Sequence, residues 1–237
     1  MSERQWERAG AATGVGFVAA LLVSVFLVPA PPHIDASTTE IIDYVTGHRT
    51  GLLTAALIGA VAGVLFLVFL SHLRHELQRS ESGRETLSPI VYGAGLTTAS
   101  IAFVSGLPMA VLAFGGKTDL TASNGAIRLL WDLNALGTAT IMIVLALFVG
   151  AVSAAMIIRE TRGPILGWLG LPIAAVLAVA GAAGFYNSSH EAFWYALDYV
   201  ALLAFAAFVL AVSVQGLVAP AGASRPLRTP PQPVPST

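Results

Sequence analysis

The chain has 237 residues, of which 56% are apolar and only 11% charged, with a formal net charge of −1. A soluble domain of average composition carries about 25% charged residues, and a disordered chain combines high charge with low hydrophobicity. Both classes are therefore excluded, and an integral membrane protein remains. No basic excess points to nucleic acid, and without cysteine there is no disulfide, thiolate metal site or thiol nucleophile.

Six long uncharged runs predict six transmembrane helices, because a membrane span needs about 20 mostly apolar residues. The predicted helices cover about 10–28, 50–78, 89–114, 125–159, 164–186 and 189–217. Together they predict an all-α fold, a polytopic bundle of six transmembrane helices within residues 1–219. Residues 220–237 are rich in proline, which predicts a disordered cytoplasmic tail.

The distribution of Lys and Arg predicts the orientation. On one side lie both termini and nine basic residues, Arg4, Arg8, Arg74, Arg79, Arg84, Arg159, Arg162, Arg225 and Arg228. On the other side lie three, Arg49, Lys117 and Arg128. The positive-inside rule therefore predicts a multi-pass protein of the inner (plasma) membrane with cytoplasmic N- and C-termini.

The segment between the first two helices has local signals of its own. Residues 29–32 read Pro-Ala-Pro-Pro, which ends helix 1 because proline cannot continue a helix. Ser37 and Glu40 have the spacing of a capping box. Residues 39–45 are predicted to form a short amphipathic segment that lies at the membrane interface.

Polar residues open each even-numbered helix at its predicted outer end. They predict a polar, aromatic-walled vestibule of His48, Arg49, Arg128, Trp131, Asp132, His190, Trp194 and Asp198. Arg128 and Asp132 are four residues apart and can pair on one helix face, with Asp198 expected within reach of the same cation.

Two interpretations of this vestibule stay open. Tryptophan and tyrosine concentrate at membrane interfaces for their own reasons, so the residues form either a structural belt or a ligand-binding or catalytic site. Asp198 fits the belt least well, since a carboxylate near the hydrocarbon edge is costly without a partner.

Other chemistries lack their residues. His72 and His75 have no obvious third ligand, and no H-E-x-x-H motif is present, so no metal site and no cofactor are expected. Residues 150–154 lack the second glycine of a serine-nucleophile elbow. Glycines inside the apolar helices predict close helix packing, namely Gly59, Gly63, Gly167, Gly170, Gly181 and Gly184.

Four segments resemble a known group of proteins: His48-Arg49 opening helix 2, the helix exit from Leu70 to Arg79, Arg128 to Trp131 opening helix 4, and Arg159 to Gly170. In these segments the chain resembles six-helix bacterial integral membrane proteins of the domain-of-unknown-function class, common in high-GC actinobacteria. The resemblance implies a fold type and no activity.

The sequence therefore predicts a non-enzymatic membrane component, such as an accessory subunit, scaffold or sensor, with a polar outer-face vestibule. One alternative is a small-molecule or lipid binder or permease that uses the vestibule. The other is a membrane-embedded enzyme with Asp132 or Asp198 as acid or base and His48 or His190 as its partner. The expected partners are the lipid bilayer and, in the first alternative, a small-molecule or lipid ligand at the outer face; nucleic acid is not expected.

Overall fold

The computed structural model describes residues 3–80, 87–120, 124–158, 164–186 and 192–218. In this part of the chain the regular structure is entirely helical. The helices are α1 (Glu3–Phe26), α2 (Thr38–Gly47), α3 (Arg49–Ser80), α4 (Leu87–Leu120), α5 (Asn124–Ile158), α6 (Pro164–Tyr186) and α7 (Ala192–Val218). Six of them, all except α2, are long and apolar enough to cross a membrane, so the predicted all-α bundle of six membrane helices is confirmed.

The helix limits follow the apolar runs, with two clear extensions, at the start of α1, which begins at Glu3 instead of 10, and at the end of α4. The predicted third span ends at 114, whereas α4 continues to Leu120. Each residue added to an existing helix gains one hydrogen bond, so a helix can continue beyond the apolar part of its sequence where no proline ends it. The predicted proline-rich tail, 220–237, lies outside the described residues.

The six long helices form a ring in chain order. Each packs against its neighbour in sequence, from α1 against α3 through to α6 against α7, and α7 packs back against α1. The short helix α2 is not part of this ring, because it contacts α3, α4 and α5 near their ends. We name this side of the bundle the α2 end, and it contains the C-terminus of α1 and the N-terminus of α3.

Four phenylalanines, one each from α1, α3, α5 and α7, meet in the middle of the ring. The ring centroids lie 4.9 Å apart for Phe17 and Phe66, 5.5 Å for Phe66 and Phe148, 6.1 Å for Phe17 and Phe205, and 6.5 Å for Phe148 and Phe205. All four side chains are buried. We call this group the aromatic layer; it packs the centre of the bundle with tilted and edge-on rings, the geometry that aromatic pairs prefer.

Glycine allows α5 and α6 to approach closely, as the sequence predicts. A Cβ atom added at Gly181 would lie 2.9 Å from the carbonyl oxygen of Ala139, and one at Gly167 would lie 2.9 Å from that of Ser153. Gly63 is similarly close to a phenylalanine of α4, whereas Gly59 is packed more loosely, with its nearest neighbour at 4.0 Å. Close packing is thus strongest along the α5–α6 contact.

Candidate functional site

Helix α2 starts at the predicted capping box. The Ser37 hydroxyl accepts a hydrogen bond from the Glu40 N–H at 3.3 Å, and the Glu40 carboxylate accepts one from the Ser37 N–H at 2.7 Å. That backbone bond and a second from the Ser37 hydroxyl hold the pKa of Glu40 below its ordinary value, because both stabilise the charged carboxylate. The box satisfies amide groups that the first turn of a helix otherwise leaves unpaired.

The apolar face of α2 packs on the protein itself. Ile41 and Val45 are fully buried and form a second apolar cluster with Leu112 of α4 and with Ile127 and Trp131 of α5. The ends of α4 and α5 reach α2 and cover this apolar face. The position of residues 39–45 at the membrane interface stays a prediction.

Tyr44 connects α2 to three of its surroundings. Its hydroxyl donates to the carbonyl oxygen of Pro29 at 2.8 Å, and its own carbonyl accepts from the His48 N–H at 3.0 Å and from His48 Nδ1 at 2.9 Å. Its ring meets Trp131 edge-on, with centroids 6.4 Å apart. Burial, and to a smaller extent the neighbouring Tyr199, raise the pKa of Tyr44.

Arg49, the first residue of α3, is bound to α4. Its Nε donates to the carbonyl oxygen of Ala113 at 2.9 Å, and its Nη2 donates to that of Phe114 at 3.1 Å. Within the described residues no carboxylate pairs with Arg49. Its hydrogen bonds therefore hold the start of α3 against α4.

Arg128 and Asp132 form the predicted pair on α5. Arg128 Nε lies 3.1 Å from Asp132 Oδ1 and 3.3 Å from Oδ2, but only Oδ2 lies in hydrogen-bonding geometry, so the buried Oδ1 atom has no hydrogen bond of its own. Arg128 Nη1 also donates to the carbonyl oxygen of Ala36 at 3.2 Å. The cation therefore links α5 to the segment that leads into α2.

Asp198 stands apart from this network. It is half-buried on α7, and in the described part of the chain it makes no hydrogen bond or ion pair. Asp198, Ala201 and Phe205 follow one another at intervals of three and four residues, so they share one face of α7. Asp198 lies about 10 Å along the helix from the aromatic layer, toward the α2 end. Its predicted contact with Arg128 is not found among these residues.

The structure thus brings five of the eight predicted vestibule residues together around α2. His48 ends α2, Arg49 follows it, and Arg128, Trp131 and Asp132 come from the first turns of α5. Of the other three, Asp198 lies separately on α7, the described part of Trp194 is its backbone in α7, and His190 lies outside the described residues.

The sequence analysis missed Tyr44, which hydrogen-bonds to the Pro29 carbonyl and to His48 and packs against Trp131. Its spacing of four residues from His48 was the available signal, because residues so spaced share a helix face. The carbonyl groups of Pro29, Ala36 and Ala113 could not be found in this way, since every residue has a carbonyl and only the fold selects which one is approached.

The described residues contain no group of three or more His, Asp or Glu side chains that could hold a metal ion. The side chains around α2 act as hydrogen-bond donors. Their guanidinium, phenol and imidazole groups donate to main-chain oxygens. Comparison with known proteins found no matching family model, no matching curated protein and no matching solved structure.

Proposed function

We propose that this chain is a non-enzymatic, multi-pass component of the plasma membrane, in which α2 is a rigid cap on the bundle. One observation carries the proposal: the side chains of Arg49, Arg128 and Tyr44 donate hydrogen bonds to main-chain carbonyls of neighbouring segments. A catalytic site keeps its donors directed at a substrate or at the charge that develops during reaction. Donors already bound to the protein's own carbonyls position structure instead.

The enzyme alternative uses Asp132 or Asp198 as acid or base and His48 or His190 as its partner, and two of these four residues make structural contacts. Its acid or base Asp132 is paired with Arg128, and the Nδ1 atom of its proposed partner His48 is bound to the Tyr44 carbonyl. A general base must be within reach of the proton that it removes and have a lone pair available for it. Asp132 therefore has its charge paired within α5, whereas the Nδ1 bond of His48 leaves the lone pair of its Nε2 atom available. Asp198, the other candidate acid or base, has no partner among the described residues, and His190 lies outside them.

The binder or permease alternative is favoured by one observation, the half-buried Asp198 without a partner among the described residues. Charged residues in membrane helices often mark ligand or ion pathways. The aromatic layer lies across the middle of the same bundle, which favours binding over passage in this conformation.

Genetic complementation separates these functions. A strain that lacks the gene is complemented with wild type, with a His48→Gln, Asp198→Asn double variant, and with Arg128→Leu, each matched for abundance in the membrane. The non-enzymatic proposal expects the double variant to complement fully and Arg128→Leu to fail, because only the latter releases the segment before α2. Loss of complementation by the double variant alone would favour the catalytic or ligand-binding alternatives.

We propose the plasma membrane as the location and the cytoplasm as the side of both termini, on the basis of the nine-to-three division of Lys and Arg. Because the chain has no cysteine, single cysteines at Ser82 and Thr118 can be labelled with an impermeant thiol reagent on intact cells. Labelling at Thr118 alone is expected. Labelling at Ser82 alone would reverse the orientation.

A further inference from the structure

One face of α3 is exposed along most of the helix and changes in character along its length. At the α2 end the exposed residues are Thr50 and Thr54, and beyond them come Leu57, Val61 and Val64. The spacing alternates between four and three residues, so these side chains form one continuous stripe. In a membrane such a stripe presents hydroxyl groups near the headgroups and aliphatic side chains beside the lipid tails.

A groove lies at the hydroxyl-bearing end of this stripe. It has a volume of about 400 Å³ and is lined by Arg49, Thr50, Leu53, Thr54 and Leu57. All five lining residues belong to α3, so the groove is a shallow, open surface that can contact one side of a lipid molecule without enclosing it. Its lining runs from a cation through hydroxyl groups to leucine, the same order as phosphate, glycerol backbone and acyl chain in a phospholipid.

Arg49 has an unused hydrogen-bonding edge at this groove. Its Nε and Nη2 atoms are bound to carbonyls of α4, whereas its Nη1 atom has no hydrogen bond within the described residues. The Thr50 hydroxyl also has no hydrogen-bond partner there. The two carbonyl bonds fix the plane of the guanidinium, which leaves Nη1 available to an anion in a set direction.

The charge of Arg49 has no acidic partner among the described residues, although this residue begins a helix that spans the membrane. A cation at the edge of the hydrocarbon is costly without a partner, and guanidinium groups bind phosphate oxygens through strong charge-assisted hydrogen bonds. A lipid phosphate is the anion present at this depth in every bilayer.

We infer that the groove on α3 is a specific phospholipid site, with the phosphodiester bound by Arg49 and Thr50 and one acyl chain lying along Leu53 and Leu57. The occupant is an anionic glycerophospholipid such as phosphatidylglycerol, whose net charge complements that of Arg49. This site lies on the exposed surface of α3 and uses the Nη1 atom of Arg49, whereas the role proposed for α2 uses the Nε and Nη2 atoms.

The test measures lipid-induced thermal stabilisation of the full chain, purified in a non-ionic detergent and stripped of lipid. Three probes are compared: dioleoyl phosphatidylglycerol, dioleoylglycerol with the same chains and no phosphate, and inorganic phosphate. We expect phosphatidylglycerol alone to raise the Tm. Equal stabilisation by dioleoylglycerol would remove the role of the phosphate, and equal stabilisation by inorganic phosphate would remove that of the lipid; either result overturns the proposal.

Variants locate the effect. Arg49→Gln is expected to weaken the response to phosphatidylglycerol tenfold or more, and Leu57→Trp is expected to weaken it by filling the groove while leaving Arg49 in place. Leu147→Trp is the matched control, since Leu147 is an exposed leucine on α5 that does not line the groove. If Arg49→Gln does not fold, Leu57→Trp still decides. A response in Leu57→Trp equal to that of Leu147→Trp and wild type contradicts the site.

Discussion

The aromatic layer and the α2 end hold the same bundle together by different means. In the aromatic layer, four buried rings touch across the ring of helices without a polar atom. At the α2 end, an apolar cluster lies beneath a set of hydrogen bonds that run from long side chains to main-chain carbonyls. The stability of the aromatic layer depends on how well the rings fit together. The stability of the α2 end depends also on the directions of its hydrogen bonds.

This difference predicts how each region responds to damage. Removing a ring from the centre leaves a void that its neighbours fill only in part. Removing a donor from the α2 end leaves a carbonyl such as that of Ala113, which lies inside α4 and has a second lone pair for the helix's own hydrogen bond. Damage to the aromatic layer should therefore cost more than damage to any single hydrogen bond around α2.

The largest effect is expected from Phe148→Ala. Phe148 is 1% exposed and contacts both Phe66 and Phe205, so truncation should cost roughly 3–5 kcal/mol of unfolding free energy. The adjacent Leu147 is 56% exposed, and Leu147→Ala should change stability by only about 0.5 kcal/mol. Both are measured by unfolding in mixed micelles. Equal losses would mean that the aromatic layer is not the centre of stability.

The next effect tests close packing away from the rings. A methyl group at Gly181 would lie 2.9 Å from the Ala139 carbonyl oxygen, so Gly181→Ala should cost roughly 1–3 kcal/mol by forcing α5 and α6 apart. Gly93 on α4 has nothing within 4 Å of an added Cβ, and Gly93→Ala should be neutral or stabilising. The same unfolding assay compares the two variants, and a Gly181→Ala variant as stable as wild type would contradict the close packing of α5 against α6.

A smaller effect distinguishes the members of the polar cluster. A double-mutant cycle of Arg128→Leu with Asp132→Asn should give a coupling of roughly 0.5–1 kcal/mol, because the pair is partly exposed to solvent. The cycle of Arg128→Leu with Asp198→Asn should be additive within about 0.5 kcal/mol, since no described contact joins them. A coupling above about 1 kcal/mol in the second cycle would place Asp198 in the cluster.

The last prediction concerns the phenol group of Tyr44 on α2. Tyr44→Phe removes the hydrogen bond to the Pro29 carbonyl and should cost about 0.5–1.5 kcal/mol at neutral pH. Burial raises the pKa of Tyr44, so the unfolded chain loses this proton first as the pH increases. The contribution of Tyr44 to the free energy of unfolding is therefore fully present below its ordinary pKa of 10.0. It is lost as the pH rises through the higher pKa that Tyr44 has in the folded protein.

The Tyr44→Phe variant is the control for the pH dependence of stability. Tm values measured between about pH 8 and 11 should fall less steeply in Tyr44→Phe than in wild type, because the variant lacks the titrating phenol. Identical slopes would show that Tyr44 is as hydrated in the folded protein as in the unfolded chain.

Local patterns in the sequence predicted much of this protein. Uncharged apolar runs predicted the six membrane helices, since length and composition alone decide whether a helix can span a bilayer. The capping box at Ser37 and the pair of Arg128 with Asp132 were predictable for a related reason. Their partners lie three or four residues apart, and helix geometry brings such residues together whatever the rest of the fold does.

Only the tertiary structure decided the remaining contacts. The aromatic layer joins Phe17 to Phe205, and Arg49 reaches a carbonyl of α4, across separations in sequence that no periodicity encodes. The same limit applies to the surroundings of α2. Its amphipathic pattern predicts an apolar face to be covered, but the pattern is identical whether lipid or protein covers it. The lengths and positions of α4 and α5 determine that the protein does so.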